Sequence, residues 1–253
     1  MSCSTISLPH LACALALLAC TWASETWAQG GDAVAKGNQE YGAGRFAEAI
    51  KHYEEAVAAG LTSGALFYNL GNARYRSGDL GRAILNYERA LLLEPQHPEA
   101  EANLRVVRDK ARALELKATW ADRLTSRASP GGLSVAAAAA FWICAFALAG
   151  LFLPRRRSPA LLGLAVISAL VLATAAGVLY WLEVGRKGRA LAVVTGKNIE
   201  ARLATADNAG SVLALPAGSE IKILSTRGDW IYAALPNDLR GWIPANSAER
   251  VRL

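Results

Sequence analysis

The chain has 253 residues and a net charge of +6, from 27 Lys and Arg against 21 Asp and Glu. The excess does not lie on the soluble stretches, because residues 29–132 hold 14 basic and 13 acidic residues and residues 190–253 hold 7 and 6. The other basic residues flank uncharged runs, as in membrane proteins, whereas a nucleic-acid binder carries its excess on a folded face. The sequence therefore predicts no nucleic-acid partner.

Residues 1–28 are predicted to be a signal peptide. The apolar core from Leu11 to Cys20 has ten residues. At about 1.5 Å per residue, this core is too short to cross a hydrocarbon layer about 30 Å thick. Small residues just before residue 29 suit cleavage after Ala28. Lipidation at Cys20 is the alternative, because Leu17 to Cys20 resembles an imperfect lipoprotein box.

The stretch from Tyr68 to Pro95 repeats the residue spacing found thirty-four positions earlier. The matching pairs are Gly44 with Gly78, Ala49 with Ala83, Tyr53 with Tyr87, and Ala56 with Ala90. This period is typical of the tetratricopeptide repeat, in which each repeat is a pair of antiparallel helices. The stretch resembles that family, so we predict an all-α repeat domain over residues 29–126. Residues 99–123 lack the glycine turn and are predicted to form one long capping helix.

The concave face of such an array binds extended or helical partner segments. In the second repeat, four polar or aromatic residues share one face of the first helix, and two of them recur in the first repeat. The predicted peptide-binding residues are Asn38, Tyr41, Tyr68, Asn72, Tyr75 and Arg76. Amide and phenol groups in a groove can hydrogen-bond a peptide backbone while reading little of its sequence. For Tyr41 and Tyr75 the alternative is packing between helices.

Two uncharged stretches, residues 133–153 and 160–182, are each long enough to cross a membrane. The loop between them, residues 154–159, carries three arginines and is predicted to be cytoplasmic, because short basic loops stay on that side. With an exported N-terminal segment, both soluble parts are then periplasmic or extracytoplasmic, in a two-pass protein of the bacterial inner membrane. Small residues at every fourth position from Ala165 to Gly177 predict packing against the first span or, alternatively, against a partner's span.

Residues 190–253 consist of short β-rich runs separated by turn residues, which is typical of a small barrel. Gly-x-Trp at residues 228–230 and Gly-Trp-Ile-Pro at residues 241–244 resemble the end of a bacterial SH3 domain. We therefore predict a small all-β SH3-like barrel, although residues 198–210 depart from the pattern of that family. The predicted groove residues are Trp230, Tyr232 and Trp242. Packing at the core and at the barrel edge is the alternative for the two tryptophans.

The chain thus runs from a signal peptide through tetratricopeptide repeats and two spans to an SH3-like domain. This order resembles the BatE-like membrane proteins of the aerotolerance operon. The resemblance implies a non-catalytic scaffold of an envelope complex, with von Willebrand A-domain membrane proteins and a MoxR-type ATPase as partners. The alternative is a wall-tethering protein whose SH3-like domain binds peptidoglycan.

No catalytic, cofactor-binding or metal-binding residues are predicted. The four cysteines lie at the N-terminus or within an apolar run, so the soluble parts contain no cysteine pair. The three histidines belong to no motif, and no nucleophile elbow, zinc-protease or phosphate-loop pattern occurs. We therefore expect a protein that is not an enzyme.

Overall fold

A computed structural model describes residues 30–125, 130–152, 159–184, 188–206 and 208–252. The predicted signal peptide, the alternative lipidation site at Cys20 and residues 154–158 of the predicted cytoplasmic loop lie outside the described residues.

Five helices form the repeat layer. They are α1 over residues 30–42, α2 Phe46–Ala58, α3 Gly64–Arg76, α4 Leu80–Leu93 and α5 Pro98–Ala111. The predicted turns are confirmed, because Gly44 and Gly78 have φ values of +77° and +83°, which glycine adopts without strain. The side chain of Asp79 caps α4 by accepting a hydrogen bond from the Arg82 amide at 3.2 Å.

Within each repeat a tyrosine ring lies directly against a glycine of the neighbouring helix. A Cβ atom added to Gly37 would lie 2.5 Å from the Tyr53 ring, and one added to Gly71 would lie 2.8 Å from the Tyr87 ring. Both tyrosines are buried. The same glycine–tyrosine contact therefore closes both helix pairs, thirty-four residues apart.

The predicted single helix over residues 99–123 is wrong. The helix α5 ends at Ala111, and Arg112 takes the left-handed conformation with a φ of 53°. The chain is then extended until α6, Trp120–Thr125. In this extended stretch Leu114 accepts a hydrogen bond from the Glu220 amide at 2.8 Å. The segment leaves the helix because its backbone pairs with the C-terminal part of the chain.

Two long apolar helices follow, α7 Pro130–Phe152 and α8 Pro159–Val184. By length and composition both could cross a membrane. They pack against each other along a face that includes the buried Ala140, Ala147, Ala165, Ser168 and Ala175. Most of the predicted stripe of small residues therefore lies outside this contact. Ala165 is buried, whereas Ala169, Ala173 and Gly177 are exposed.

The C-terminal part is one antiparallel sheet of seven strands. Its strands are β1 Leu191–Val194, β2 Ile199–Arg202, β3 Ser211–Leu215, β4 Glu220–Arg227, β5 Trp230–Ala234, β6 Arg240–Pro244 and β7 Ala248–Arg250. The order across the sheet is β3-β2-β6-β5-β4-β1-β7. The predicted barrel closure is not found, because β3 and β7 remain edges among the described strands. After β7 the chain does not continue toward β3. Val251 packs instead into the apolar cluster of the helical layer.

The sheet and the repeats share one apolar core. Leu191, Val193 and Val251 are each at most 3% exposed and belong to the same cluster as Ile84 and Leu104 of the helical layer. A regular array would place another helix against α4 and α5. Here the edge of the sheet formed by β1 and β7 takes that position and caps the array.

Candidate functional site

A cleft of about 190 Å³ opens on the concave side of the first repeat. It lies between the inner helices α1 and α3, with one side chain reaching it from α2. Its lining residues are Asn38, Tyr41, Gly42, Tyr53, Asn69 and Asn72. Three of the six predicted peptide-binding residues, Asn38, Tyr41 and Asn72, are therefore brought together here.

Asn38 is held by two hydrogen bonds to the same oxygen. The Tyr53 hydroxyl donates to Asn38 Oδ1 at 2.8 Å, and Asn69 Nδ2 donates to that oxygen at 3.2 Å. Burial raises the pKa of Tyr53 to about 12, so its hydroxyl keeps its proton at neutral pH. The protonated phenol can donate, and the amide oxygen of Asn38 accepts from both of its partners.

The same arrangement recurs thirty-four residues later around Asn72. The Tyr87 hydroxyl donates to Asn72 Oδ1 at 2.7 Å, and Asn103 Nδ2 donates to it at 3.1 Å. Burial raises the pKa of Tyr87 above its ordinary range. Asn103 Nδ2 also lies 3.3 Å from the Tyr68 hydroxyl. The repeat therefore reproduces a hydrogen-bonded unit as well as a helical spacing.

Each unit leaves an amide N–H₂ group directed away from its internal partners. Because Oδ1 of Asn38 and Oδ1 of Asn72 are the acceptors, the Nδ2 atoms of both residues remain available to donate. Within the part of the chain that the structure describes, neither Nδ2 atom has an acceptor. Both asparagines line the cleft, so it offers two side-chain amides that can donate to the carbonyl oxygens of an extended peptide.

The other three predicted residues lie on α3 but do not line the cleft. The Tyr68 ring packs against His97 with ring centroids 4.8 Å apart. The Lys110 ammonium lies 4.8 Å from the centroid of the Tyr75 ring. The Arg76 guanidinium lies 5.1 Å from the centroid of the Phe46 ring. Tyr68 and Tyr75 also pack against the shared core, so part of each side chain is buried between elements, as the alternative interpretation of Tyr75 predicted.

Tyr41 packs within the first repeat and also lines the cleft. Its ring meets the Phe46 ring edge-to-face at 5.4 Å and packs against the core of the first repeat. The remainder of its half-buried side chain lines the cleft. Packing and exposure to a ligand are therefore compatible at this position.

The predicted groove residues of the C-terminal part lie on the outer face of the sheet. Tyr232 and Trp242 are register partners on β5 and β6, with ring centroids 5.0 Å apart. Trp230 pairs with Pro244 on the same two strands. All three aromatic side chains are half-buried, while Ile243 and its neighbours on the other face are buried. Tyr232 and Trp242 thus form an aromatic pair on this face, and Trp230 lies two residues from Tyr232 on the same strand.

Sequence reasoning missed the residues that hold the two asparagines. Tyr53 and Tyr87 were identified only as matching positions of the two repeats, and Asn69 and Asn103 were not identified. The signal was present, because each set of asparagine, tyrosine and asparagine recurs at an offset of thirty-four. A comparison of polar residues between the repeats would have found it.

Sequence reasoning also missed a buried charge cluster between the repeats and the sheet. Arg108 Nη2 lies 2.5 Å from Glu88 Oε1 and also pairs with Glu220 of β4. Glu88 and Glu220 are 2% and 1% exposed. Glu220 Oε2 accepts a further hydrogen bond from the Leu116 amide at 3.1 Å. One arginine therefore bridges carboxylates from both parts of the chain.

Nothing in the described ranges resembles a metal site, since no three His, Cys, Asp or Glu side chains cluster there. The antiparallel helix pairs with a concave cleft define a helical-repeat protein. Residues 34–101 and 68–132 match the family model of the tetratricopeptide repeat. The chain therefore contains tetratricopeptide repeats, as the period predicted. None of the curated proteins compared with this chain matches it.

Proposed function

We propose that this protein is a membrane-anchored, non-catalytic adaptor that binds an extended segment of a protein partner in the concave cleft. The observation that carries the proposal is the repeated asparagine unit. Two amide donors, on Asn38 and Asn72, are oriented by internal hydrogen bonds and lack acceptors in the described part of the chain. Donors that are already oriented lose little conformational entropy when they bind, which favours affinity.

The shared core supports a particular membrane topology. Strands β1 and β7 pack on α4 and α5, so the repeats and the sheet lie on one side of any membrane that α7 and α8 cross. An even number of spans satisfies this requirement. Together with the predicted signal peptide, it favours a two-pass inner-membrane protein with both soluble parts in the periplasm.

The partner classes follow from the resemblance stated above. A BatE-like scaffold would contact von Willebrand A-domain membrane proteins and act with a MoxR-type ATPase. The sheet would then represent an opened relative of the SH3-like fold. These assignments rest on the order of the segments and on the Gly-x-Trp and Gly-Trp-Ile-Pro motifs.

Photocrosslinking in native membranes tests the adaptor proposal. A photoreactive amino acid at residue 72 or 38 should give a defined adduct with an envelope protein. The matched control is Lys51, an exposed residue of the outer helix α2 that does not line the cleft. Equal adducts from residues 72 and 51, or none from residue 72, would reject the cleft as the binding site.

A substitution series gives the same test in quantitative form. Replacing Asn38 or Asn72 with Ala removes one donor and should weaken partner binding between about twofold and tenfold, as expected for one hydrogen bond. The thermal stability must be compared in parallel, because the tyrosine of each unit loses its acceptor in the same variant.

A second candidate function is tethering to the cell wall, and the aromatic pair on β5 and β6 favours it. Half-buried rings on an outer sheet face can stack on a sugar or peptide of peptidoglycan. The full chain in detergent should then be retained by purified sacculi, and Trp242→Ala should reduce retention. The sheet alone is unsuitable for this assay, because it shares its core with the repeats. Absence of retention would remove this function.

A further inference from the structure

The short helix α6 exposes two large apolar side chains to solvent. Trp120 is 78% exposed and Leu124 is 76% exposed, the two highest values among the described large apolar side chains. They lie four positions apart and therefore on one face of the helix. Such a face on a soluble segment indicates contact with another apolar phase.

A hydrogen bond fixes α6 to the last turn of α8. Asp122 Oδ2 accepts from the Thr119 amide at 2.8 Å, which begins the helix. Asp122 Oδ1 accepts from the Trp181 indole Nε1 at 3.1 Å. One carboxylate therefore contacts both the start of α6 and the last turn of α8.

The last turn of α8 belongs at the level of lipid headgroups. The helix has 26 residues and is about 39 Å long, whereas the hydrocarbon layer is about 30 Å thick. Tyr180 and Trp181, 67% and 37% exposed, lie among the last five residues of α8, near the end that extends toward the sheet. Tyrosine and tryptophan are enriched at that depth in membrane proteins.

Cationic side chains of the sheet meet the same end of α8. Lys222 Nζ donates to the Val184 carbonyl at 2.6 Å, and Arg252 Nη1 lies 2.7 Å from Glu183 Oε2. Cations are favourable at a helix C-terminus. The sheet therefore sits directly on the end of α8, and the soluble body lies close to the membrane surface.

We propose that Trp120 and Leu124 insert into the headgroup and upper acyl region of the membrane that α8 crosses, which makes α6 an interfacial lipid anchor. This rests on the proposed function only in requiring that α7 and α8 span the membrane. Together with the hydrogen bond to Trp181, the anchor holds the repeats at a fixed height and tilt.

Site-directed spin labelling of the full chain tests this anchor. Single cysteines at residues 124, 106 and 167 are labelled in a background with the native cysteines replaced, and the protein is reconstituted in phosphatidylethanolamine–phosphatidylglycerol vesicles. Val106 of α5, 57% exposed, is the aqueous control, and Ile167 of α8, 63% exposed, is the lipid control. Collision rates with oxygen, which concentrates in lipid, and with a water-soluble nickel chelate are measured.

The three labels separate the possible outcomes. We expect labels at 124 and 167 to favour oxygen and the label at 106 to favour nickel, with 124 at a shallower depth than 167. A nickel-accessible label at 124 beside a lipid-exposed label at 167 would overturn the anchor and leave the spans intact. A nickel-accessible label at 167 would instead refute the membrane spans and the anchor with them. A label at 124 that is shielded from both reagents would indicate a protein contact and overturn the lipid assignment.

Discussion

Replacing Arg108 with Met should open the joint between the repeats and the sheet. The arginine contacts Glu88 at 2.5 Å and pairs with Glu220, and both carboxylates are at most 2% exposed. Methionine preserves much of the volume and removes the charge. The variant therefore leaves two buried carboxylates, one from each part of the chain, without their common cation.

The expected loss is about 3–5 kcal/mol, as found when one partner of a buried ion pair is removed. Since about 1.4 kcal/mol corresponds to a tenfold change in an equilibrium constant, the open form should rise between roughly a hundredfold and a few thousandfold. Hydrogen–deuterium exchange of the full chain in detergent measures this directly. Amides of β1, β4 and α4 should lose protection together, while those of α8 keep theirs.

Arg105→Met is the matched control. Arg105 lies on the same helix and pairs with Glu101 at 2.7 Å, but the two side chains are 70% and 59% exposed. An exposed pair at this spacing contributes only about 0.3–0.5 kcal/mol. If Arg108→Met changes protection as little as Arg105→Met does, the buried cluster does not hold the joint, and the reasoning is refuted.

Three further predictions concern the helices and their tyrosines. Gly81→Ala should destabilise the joint by about 1–3 kcal/mol, because the new Cβ would lie 3.1 Å from the Val194 carbonyl oxygen. Gly31→Ala meets no atom within 4 Å and should be neutral or stabilising, so equal melting temperatures for the two variants would contradict the close approach. Tyr53→Phe should cost about 0.5–1.5 kcal/mol in chemical denaturation, since it removes the hydrogen bond to Asn38, and an unchanged midpoint would argue against that bond. Burial raises the Tyr53 pKa from 10.0 to about 12, so its stabilising contribution is complete below pH 10 and is lost as pH rises through about 12. The difference in melting temperature between the wild type and the Phe variant should therefore shrink over this range, and a difference that grows would show the opposite sign of shift.

The helical layer was predictable because its determinants are local. The glycine turns at Gly44 and Gly78 and the period of thirty-four residues lie within short windows of sequence. The two apolar helices follow equally from uninterrupted hydrophobic composition. Five of the seven strands also appeared as β-rich runs, whereas β2 and β7 did not, because the alternation of β2 covers only four residues and β7 has three.

The joint was not predictable, because its contacts link residues about one hundred positions apart. The periodicity of residues 99–123 favours a continuous helix, and no local residue opposes it. The backbone of Leu114 nevertheless pairs with Glu220, and the side chain of Arg108 pairs with the same glutamate. Tertiary hydrogen bonds and a buried ion pair thus override helix propensity. The sheet stays open, contrary to the predicted barrel, because Val251 after β7 packs into the helical layer.

The candidate site was predictable in part. The offset between repeats identified Asn38 and Asn72, and both line the cleft or its rim. The offset did not show which amide atom already has a hydrogen-bond partner. That depends on the packing of each helix pair, which places a tyrosine hydroxyl against Oδ1. Residue identity specifies the donors and acceptors, but only the packed helices determine which remain available.

The shared core also imposes an order on biosynthesis. The repeats are translated first, yet Leu191, Val193 and Val251, which complete their apolar cluster, emerge only after both long apolar helices. Until then the nascent repeats present an uncovered hydrophobic surface. A full-length product is therefore a prerequisite for a mature repeat domain. Chains interrupted earlier would expose that surface to chaperones and proteases.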